Sequence, residues 1–274
     1  MTILELGPHD RLYYQHRQPA ADADSALTFV FFNALTSDTA GWEAVIAPRV
    51  RAAGHGTLTF NFRGQTDSLF SPGLTLDADL MAADAARLLA EVQPRRPVLV
   101  GLSIGGLFAA RAFLSGAAAE ALVLVNTLRK DGPRLQWVGD ALVRAVEVGG
   151  LDLFRDLFLP LLVNEEWQRS NRANFIAPEG KYTPLPADHG HYKLLAEAGR
   201  TADWDLPYEK LDLPTLVITG LQDHVFLEPA AVAQLAARMP KGTCVEMPDA
   251  GHLIPAERPE ALADHLITFA KEVG

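Results

Sequence analysis

Short apolar runs rich in β-branched residues alternate with longer amphipathic stretches along most of this chain. Each run has the pattern typical of a strand that is buried on both faces. The predicted strands are 27–32, 57–62, 97–100, 120–126, 213–220 and 243–247. The predicted helices are 41–53, 76–92, 104–115, 229–239 and 259–273. Because strands that alternate with helices join through right-handed crossovers, we predict an α/β protein with a mostly parallel, twisted sheet flanked by helices.

Two parts of the chain depart from this alternation. Residues 2–17 have the pattern of a small hairpin, which a polar loop at 18–25 follows. Residues 128–206 contain helical stretches rich in Leu, Phe, Trp and Pro, with no strand between them. We therefore predict a core made of 1–127 and 207–274, and a helical lid or cap at 128–206 that is inserted between two late strands. Such a lid covers the carboxyl ends of the strands, where sheets of this class bind ligands.

One strand-to-helix junction carries a candidate nucleophile. The run Pro97-Val98-Leu99-Val100 leads into Gly101-Leu102-Ser103-Ile104-Gly105-Gly106, a G-x-S-x-G pattern, and a helix-favouring stretch follows. Strand, sharp turn and helix form the context in which this pattern is a nucleophile elbow. The glycines let the strand and helix approach each other, and the start of the helix directs its positive end at the serine. The alternative is a glycine-rich turn with an incidental serine.

The candidate base is His252, because a serine hydroxyl is a poor nucleophile until a base accepts its proton. His252 lies in a loop between the last strand and the last helix, at the carboxyl end of a strand. The pair His189 and His191 lacks a matching set of carboxylates or cysteines, so we expect a lid turn there and no metal site.

The candidate acid is Asp223, which follows the strand that ends at Gly220. An acid in this place holds the tautomer of the base and stabilises the imidazolium. The chain order of serine, aspartate and histidine is that of the nucleophile-elbow fold. Asp131 is the main rival acid, and Asp249 is disfavoured because it lies in the loop of the base itself.

An oxyanion formed at the serine requires two N–H donors. We expect one from the backbone of Ile104, the residue after the nucleophile, and one from the backbone of Leu35, with Ala34 as its alternative. Asn33 either orders that loop or faces the pocket, and Ala34 is a candidate pocket residue as well. The lid residues suggest a largely apolar pocket, and Arg129, Lys130 and His224 are candidate pocket residues near strand ends. Arg129 and Lys130 would suit a substrate carboxylate, whereas a solvated lid hinge is the plainer interpretation of the two charges.

Composition and charge narrow the classes of function. The chain of 274 residues is 49% hydrophobic and 21% charged, so it can bury a large core. Its net charge of −10 argues against nucleic-acid binding and against an anionic membrane surface. The single cysteine, Cys244, excludes an internal disulfide and favours a reducing compartment; we expect it to be buried in a strand. With no signal-peptide pattern and no long apolar span, we predict a cytoplasmic protein.

Four motifs together resemble the α/β-hydrolase superfamily, and the resemblance extends over essentially the whole chain. They are Gly101-Leu102-Ser103-Ile104-Gly105-Gly106, Gly220-Leu221-Gln222-Asp223, Gly251-His252 and Asn61-Phe62-Arg63-Gly64-Gln65-Thr66-Asp67-Ser68. The last is similar to an Arg-Gly-x-Gly-x-Ser loop, with Thr66 where glycine is usual. Asn33-Ala34-Leu35 stands where most members have His-Gly-x. An Asn-Ser-Leu version occurs in enol-lactone hydrolases, and Asn33-Ala34-Leu35-Thr36 is similar to the His-Ala-Leu-Thr of homoserine acyltransferases.

The resemblance implies an α/β-hydrolase fold and a serine hydrolase that uses neither a cofactor nor a metal. We expect it to cleave a small carboxylic ester or lactone through an acyl-enzyme. The same three residues also serve carbon–carbon bond hydrolysis, acyl transfer and perhydrolysis, and some proteins of this fold are small-molecule receptors with little or no turnover. Carbonyl chemistry without an acyl-enzyme is a further alternative. Neither the natural substrate nor the oligomeric state follows from the sequence.

Overall fold

One twisted sheet is the centre of the fold. The computed structural model describes residues 2–19, 25–178 and 181–274. These residues form an eight-stranded sheet with the order β1-β2-β4-β3-β5-β6-β7-β8. The strands are β1 Thr2–Gly7, β2 Asp10–Arg17, β3 Thr28–Phe32, β4 Gly56–Phe60, β5 Pro97–Leu102, β6 Ala121–Val125, β7 Thr215–Gly220 and β8 Gly242–Met247. Residues 20–24 of the predicted polar loop lie outside the described residues.

Strand pairing confirms the mostly parallel sheet that the sequence predicts. The predicted hairpin is present, since β1 and β2 pair antiparallel with Ile3 opposite Tyr13. Strand β2 also pairs antiparallel with β4, and every pair from β4 across to β8 is parallel. Parallel neighbours end on the same edge, so the loops after β3, β5, β6, β7 and β8 come together at one edge of the sheet.

Helices cover both faces of the sheet, and side chains alternate between the two resulting cores. Val30 and Phe32 pack in one apolar cluster, whereas Phe29 and Phe31 pack in the other, as the period of two along a strand requires. The helices that alternate with the strands are α1 Ala40–Glu43, α2 Ile46–Ala52, α3 Ala78–Val92, α4 Ile104–Leu114, α9 Pro229–Ala236 and α11 Pro259–Val273. A short helix, α10 Ile254–Glu257, precedes α11. Helices α3 and α4 pack together, and α2 packs against α11.

The single helix predicted at 41–53 is wrong, because two short helices occupy this segment. Val45 separates them and has φ −138° and ψ −48°, outside the helical region. Pro48 accounts for the break, since in a continuous helix its ring would clash with the carbonyl of Ala44. The other predicted helices are present, with ends that differ by up to three residues.

A helical segment follows β6, as predicted, and β7 begins only at Thr215. Within the described part of this segment there are helices and no strand. They are α5 Pro133–Leu162, α6 Glu165–Phe175, α7 Gly190–Lys193 and α8 Gly199–Thr201, with a π-helical turn at Leu194–Ala198 and a 3-10 turn at Tyr208–Lys210. Helix α5 is bent at Gly150, which has φ 66°. Leu194 and Trp204 pack into the main core, so the boundary of a lid at 128–206 stays a prediction.

Cys244 is exposed, and the expectation that it is buried is wrong. The physical reason is the position of β8 at the edge of the sheet, where only its last residue is buried. None of the helices in the described ranges is both long enough and apolar enough to span a membrane.

Candidate active site

Ser103 occupies a sharp turn between β5 and α4. Its φ is 57° and its ψ is −126°, a conformation that residues other than glycine rarely adopt. A Cβ on Gly101 would overlap the backbone of Gly106, and one on Gly105 would lie 2.5 Å from the carbonyl oxygen of Asn33. Only glycine fits at these positions, because the backbones approach so closely. Strain of this kind in a buried serine points to a function of its side chain.

The expected oxyanion donors, Leu35 and Ile104, line the same cavity as Ser103. Ile104 is the first residue of α4, so its N–H has no acceptor within the helix. In the described ranges, neither the Leu35 N–H nor the Ile104 N–H donates a hydrogen bond. Gln65 holds the loop of Leu35 in place, since its Nε2 donates to the Ala34 carbonyl at 2.8 Å and to the Leu35 carbonyl at 3.3 Å. Two N–H groups without acceptors beside a serine suit a developing oxyanion.

His252 and Asp223 form a buried pair. His252 Nδ1 lies 2.6 Å from Asp223 Oδ2, and Asp223 Oδ1 accepts from the backbone N–H groups of Val225 at 3.0 Å and Phe226 at 2.9 Å. Burial raises the pKa of a carboxyl, but the His252 ring and these N–H groups hold the pKa of Asp223 below its ordinary value. A carboxylate at Nδ1 favours the tautomer with the proton on Nδ1, which leaves Nε2 as an acceptor.

Asn126 connects the loop of His252 to the sheet. Its Nδ2 donates to the carbonyl oxygens of Gly251 at 3.0 Å and His252 at 2.9 Å. Its Oδ1 accepts from the Gly220 N–H at 2.8 Å. Because β6, β7 and the histidine loop share this one amide, His252 is held at a defined place on the sheet edge.

Glu257 supports the same loop from the other side. Its Oε2 accepts from the Gly251 N–H at 2.8 Å, and its Oε1 accepts from the Leu253 N–H at 2.9 Å. These two residues flank His252 in sequence. Burial raises the pKa of Glu257 above its ordinary value, although its N–H donors oppose the shift.

Asn33 is buried and lies outside the wall of the cavity. Its Nδ2 donates to Asn61 Oδ1 at 3.0 Å and to Gln65 Oε1 at 2.9 Å, and its Oδ1 accepts from Trp42 Nε1 at 2.8 Å. Of the two roles expected for Asn33, these hydrogen bonds therefore support the ordering of the loop. Its neighbour Ala34 does line the cavity.

Arg129 lies in the cavity beside the serine. Its Nη2 donates to Ser103 Oγ at 3.0 Å and to the Asn126 carbonyl at 2.9 Å. The guanidinium carbon lies 4.3 Å from the centre of the Trp204 ring and 4.4 Å from that of Phe226. No hydrogen bond joins Ser103 Oγ to the His252 ring among the described residues, and both side chains line this cavity. Such bonds are often long before substrate binds.

The structure does not bring the remaining candidates into the cavity. Lys130 and His224 are exposed and do not line the cavity, because both lie in loops beyond the ends of β6 and β7 where their side chains reach solvent. Asp131 is exposed as well, and Asp249 forms an exposed ion pair with Arg258 at 2.8 Å. Among the acids considered, Asp223 alone pairs with His252 in the part of the chain that is described.

His189 and His191 lie close together without a set of metal ligands in the described ranges. The ring centres of His189 and His191 are 5.5 Å apart. Within the described ranges, no group of three or more His, Cys, Asp or Glu side chains could hold a metal ion. Burial lowers the pKa of His191, which favours a neutral ring.

The cavity beside Ser103 has a volume of about 340 Å³. Backbone and side chains at the sheet edge form its floor, including Ser103, Arg129 and His252. Apolar side chains of the helical segment form much of its wall. They include Leu142, Leu151, Phe154, Leu159, Trp167 and Phe175. An apolar wall around a few polar groups is typical of a small-molecule site.

Four residues that shape the site cannot be identified as site residues from the sequence. Asn126 lies at the end of a predicted strand, Trp204 is one of several aromatic residues in the helical segment, Phe226 follows the acid by three positions, and Glu257 is an ordinary acidic residue in sequence. Phe226 follows Asp223 in the loop after a predicted strand, and its place at the carboxyl edge of the sheet could have indicated it. No sequence signal distinguishes Glu257, since its partners come from two separate loops.

Comparison with known proteins places the chain in a large family. A family model described as "Alpha/beta hydrolase family" matches residues 29–265. A relative from Mycobacterium tuberculosis, named "Putative non-heme bromoperoxidase BpoC", is 28% identical over 240 residues, which are 85% of this chain and 89% of that protein.

Two solved structures illustrate the similarity of fold. The α/β-hydrolase enzyme MGS-M2, from a Medee basin deep-sea metagenome library, has a TM-score of 0.83 and 18% identity, with 99% of this chain and 97% of that chain covered. The enol-lactonase from Burkholderia xenovorans LB400 has a TM-score of 0.74 and 23% identity, with 96% of this chain and 97% of that chain covered. At such identities the similarity shows the fold and leaves the substrate open.

Proposed function

The chain belongs to the α/β-hydrolase family, and from this premise we propose that it is a serine hydrolase that cleaves a small carboxylic ester or lactone. One observation carries the proposal. The strained Ser103 and His252, whose ring pairs with the buried Asp223, line one largely apolar cavity. A nucleophile, a base with a fixed tautomer and a cavity of small-molecule size are the parts that acyl transfer to water requires.

The first half of the proposed reaction forms an acyl-enzyme. His252 Nε2 accepts the hydroxyl proton of Ser103 as Oγ attacks the carbonyl carbon of the substrate. The carbonyl oxygen becomes an oxyanion, which accepts from the Leu35 and Ile104 N–H groups. When the tetrahedral intermediate collapses, His252 gives its proton to the departing alcohol oxygen, and the acyl group stays on Ser103.

The second half returns the free enzyme. His252 Nε2 accepts a proton from water, and the hydroxide oxygen attacks the acyl carbonyl. Collapse of the second intermediate breaks the bond to Ser103 Oγ, which recovers the proton from His252, and a carboxylic acid leaves. Asp223 stabilises the imidazolium in both halves without taking the proton.

The substrate proposal is tested by product analysis on the purified chain. The panel contains methyl esters, γ- and δ-lactones and ring-cleavage diketones, each with and without ethanol as an acceptor. We expect hydrolysis of an ester or a lactone, and a loss of at least about a thousandfold in Ser103→Ala. Turnover of the diketones alone would replace the proposal by carbon–carbon bond hydrolysis. An ethyl ester as the main product would replace it by acyl transfer. Tight ligand binding without turnover would indicate a receptor.

Two broader predictions from the sequence accompany this proposal. The substrate is a small molecule, in keeping with the size and the apolar wall of the cavity. The cytoplasmic location rests on the single cysteine, Cys244, and stays a prediction.

A further inference from the structure

Arg129 is a buried cation at the floor of the catalytic cavity. It follows β6 in the chain, only 5% of its surface is exposed, and its guanidinium lies against the Trp204 and Phe226 rings. A stacked guanidinium remains a donor in its plane. Its Nη2 uses that plane to donate to Ser103 Oγ and to the Asn126 carbonyl.

The charge of Arg129 has no carboxylate partner in the described ranges. No Asp or Glu oxygen there lies within 4.0 Å of its guanidinium nitrogens. The other strongly buried arginine, Arg63, is different, because its nitrogens bind Asp84 and, at 2.9 Å, Asp10. Buried charges are normally paired, since desolvation of an unpaired ion is costly. Arg129 departs from that rule at the place where substrate binds.

Arg129 keeps its positive charge at neutral pH. Burial lowers its pKa to about 10, while the charge of Asp223 opposes the shift. That value is still well above neutrality, so the guanidinium faces the cavity as a cation. Asp223 is already bound to His252 and to two backbone N–H groups, so its oxygens are committed elsewhere.

We propose that Arg129 is an anion subsite, and that the natural substrate carries a carboxylate a few bonds from the carbonyl that Ser103 attacks. The inference rests on the proposed function and names the substrate class of the same site. A carboxylate would replace water or the serine as an acceptor for the in-plane N–H groups, and the stacked rings would hold the guanidinium for a bidentate contact.

Geometry limits where that carboxylate lies. Arg129 Nη2 is 3.0 Å from Ser103 Oγ. With about 2.8 Å for a charged N–H···O contact, a carboxylate oxygen bound to Nη2 lies no more than about 6 Å from Oγ. The remaining wall of the cavity is largely apolar, so the rest of the substrate is apolar.

Two other roles for Arg129 make a different prediction. A guanidinium that only balances the charge of Asp223, or only stabilises the developing negative charge on Ser103 Oγ, affects anionic and neutral esters alike. An anion subsite changes the preference between them. The decisive quantity is therefore the ratio of kcat/KM for an anionic ester to that for a neutral ester of the same size.

The experiment uses two methyl esters of the same size. Monomethyl succinate carries a carboxylate, and methyl succinamate carries a neutral carboxamide in its place. We expect the native protein to prefer the anion by at least about tenfold, the scale of one hydrogen bond that involves charged groups. Arg129→Gln should lower the ratio by at least about tenfold, and Arg129→Lys should retain part of it. Arg134→Gln is the matched control, because Arg134 is half-exposed and paired with Glu228, and it should leave the ratio unchanged.

Each contrary result has a separate meaning. A ratio near one in the native protein, or one that Arg129→Gln does not change, overturns the inference while ester hydrolysis sustains the proposed function. The inference is also overturned if Arg155→Gln lowers the ratio and Arg129→Gln does not, because Arg155 is another arginine that lines the cavity.

A measurement on the native protein alone covers the case in which Arg129→Gln does not fold. Phenylacetate and phenylacetamide are compared by calorimetric binding, which needs no turnover. We expect phenylacetate to bind at least about tenfold more tightly. Equal binding overturns the anion subsite. If no ester or lactone of the panel is hydrolysed while phenylacetate binds selectively, the proposed function fails and the subsite stands.

Discussion

Glu257 and Asn164 are joined by two hydrogen bonds. Glu257 Oε2 accepts from the backbone N–H of Asn164 at 2.7 Å and from its Nδ2 at 2.8 Å. Asn164 caps α6, since its side chain accepts from the Trp167 N–H. Because the same carboxylate holds Gly251 and Leu253 on either side of the histidine, one buried group couples the helical segment to the candidate base.

Replacement of this carboxylate should loosen the base and the helical segment together. In Glu257→Gln an amide NH₂ would face N–H donors, so at least one buried donor loses its acceptor. We expect unfolding free energy to fall by about 2–3 kcal/mol and kcat for an ester to fall about tenfold. Urea unfolding and ester hydrolysis measure the two effects. Glu260→Gln, an exposed change three residues on, should alter neither; an equal loss there would remove the specific role of Glu257.

Asp223 should be the acid that serves His252. Asp223→Asn keeps the shape of the side chain but disfavours the tautomer with the proton on Nδ1, so kcat should fall by about ten-thousandfold. The exposed Asp131 is the control, and Asp131→Asn should stay within about threefold of the native rate. Steady-state hydrolysis of one ester by all three proteins decides the matter. A larger loss in Asp131→Asn would transfer the role to the rival acid.

The same carboxylate should contribute to stability with a defined dependence on pH. The folded state holds the pKa of Asp223 below its ordinary value. Its stabilising contribution is therefore complete above the ordinary, unfolded pKa and is lost as the pH falls through the lower folded value. The gap in unfolding free energy between the native protein and Asp223→Asn should narrow from pH 6 to pH 3. Urea unfolding at both values tests this, and a gap that widens on acidification would contradict it.

Gly105 should resist even a single added methyl group. The new Cβ would lie 2.5 Å from the backbone carbonyl oxygens of both Phe32 and Asn33, so β3 and α4 would have to separate. We expect Gly105→Ala to cost about 1–3 kcal/mol of unfolding free energy. Gly139→Ala is the control, since nothing lies within 4 Å of its added Cβ, and it should be neutral or slightly stabilising. Equal melting temperatures for the two variants would refute the close approach.

Periodicity predicted the sheet because burial on both faces leaves a strong local signal. Strands β3 and β5 are fully buried, and each was a continuous apolar run in sequence. The exposed Cys244 shows the limit of such a signal. The run around Cys244 is also apolar, but its burial depends on the order of strands, which places β8 at an edge. Strand order is a long-range property that no local window contains.

The candidate site could likewise be predicted from the sequence only in part. Motifs and chain order were enough to propose Ser103, Asp223 and His252. Each of them follows a parallel strand, and the carboxyl ends of parallel strands lie at the same edge of the sheet. Whether Arg129 is a solvated charge or a buried one depends on Trp204 and Phe226, which are distant in sequence. Asn33 likewise needed its partners Trp42 and Gln65 before its two possible roles could be distinguished.

Labelling with a fluorophosphonate probe, read by intact mass, tests the central claim most directly. An activated serine attacks the phosphorus of the probe and displaces fluoride, so that one phosphonyl group stays on the serine oxygen. We expect one adduct on Ser103 in the native protein and in Ser115→Ala, whose serine is exposed at the far end of α4. Ser103→Ala should take none, and His252→Ala should react at least about a thousandfold more slowly. An adduct that persists in Ser103→Ala, or none on the folded native protein, would contradict the account.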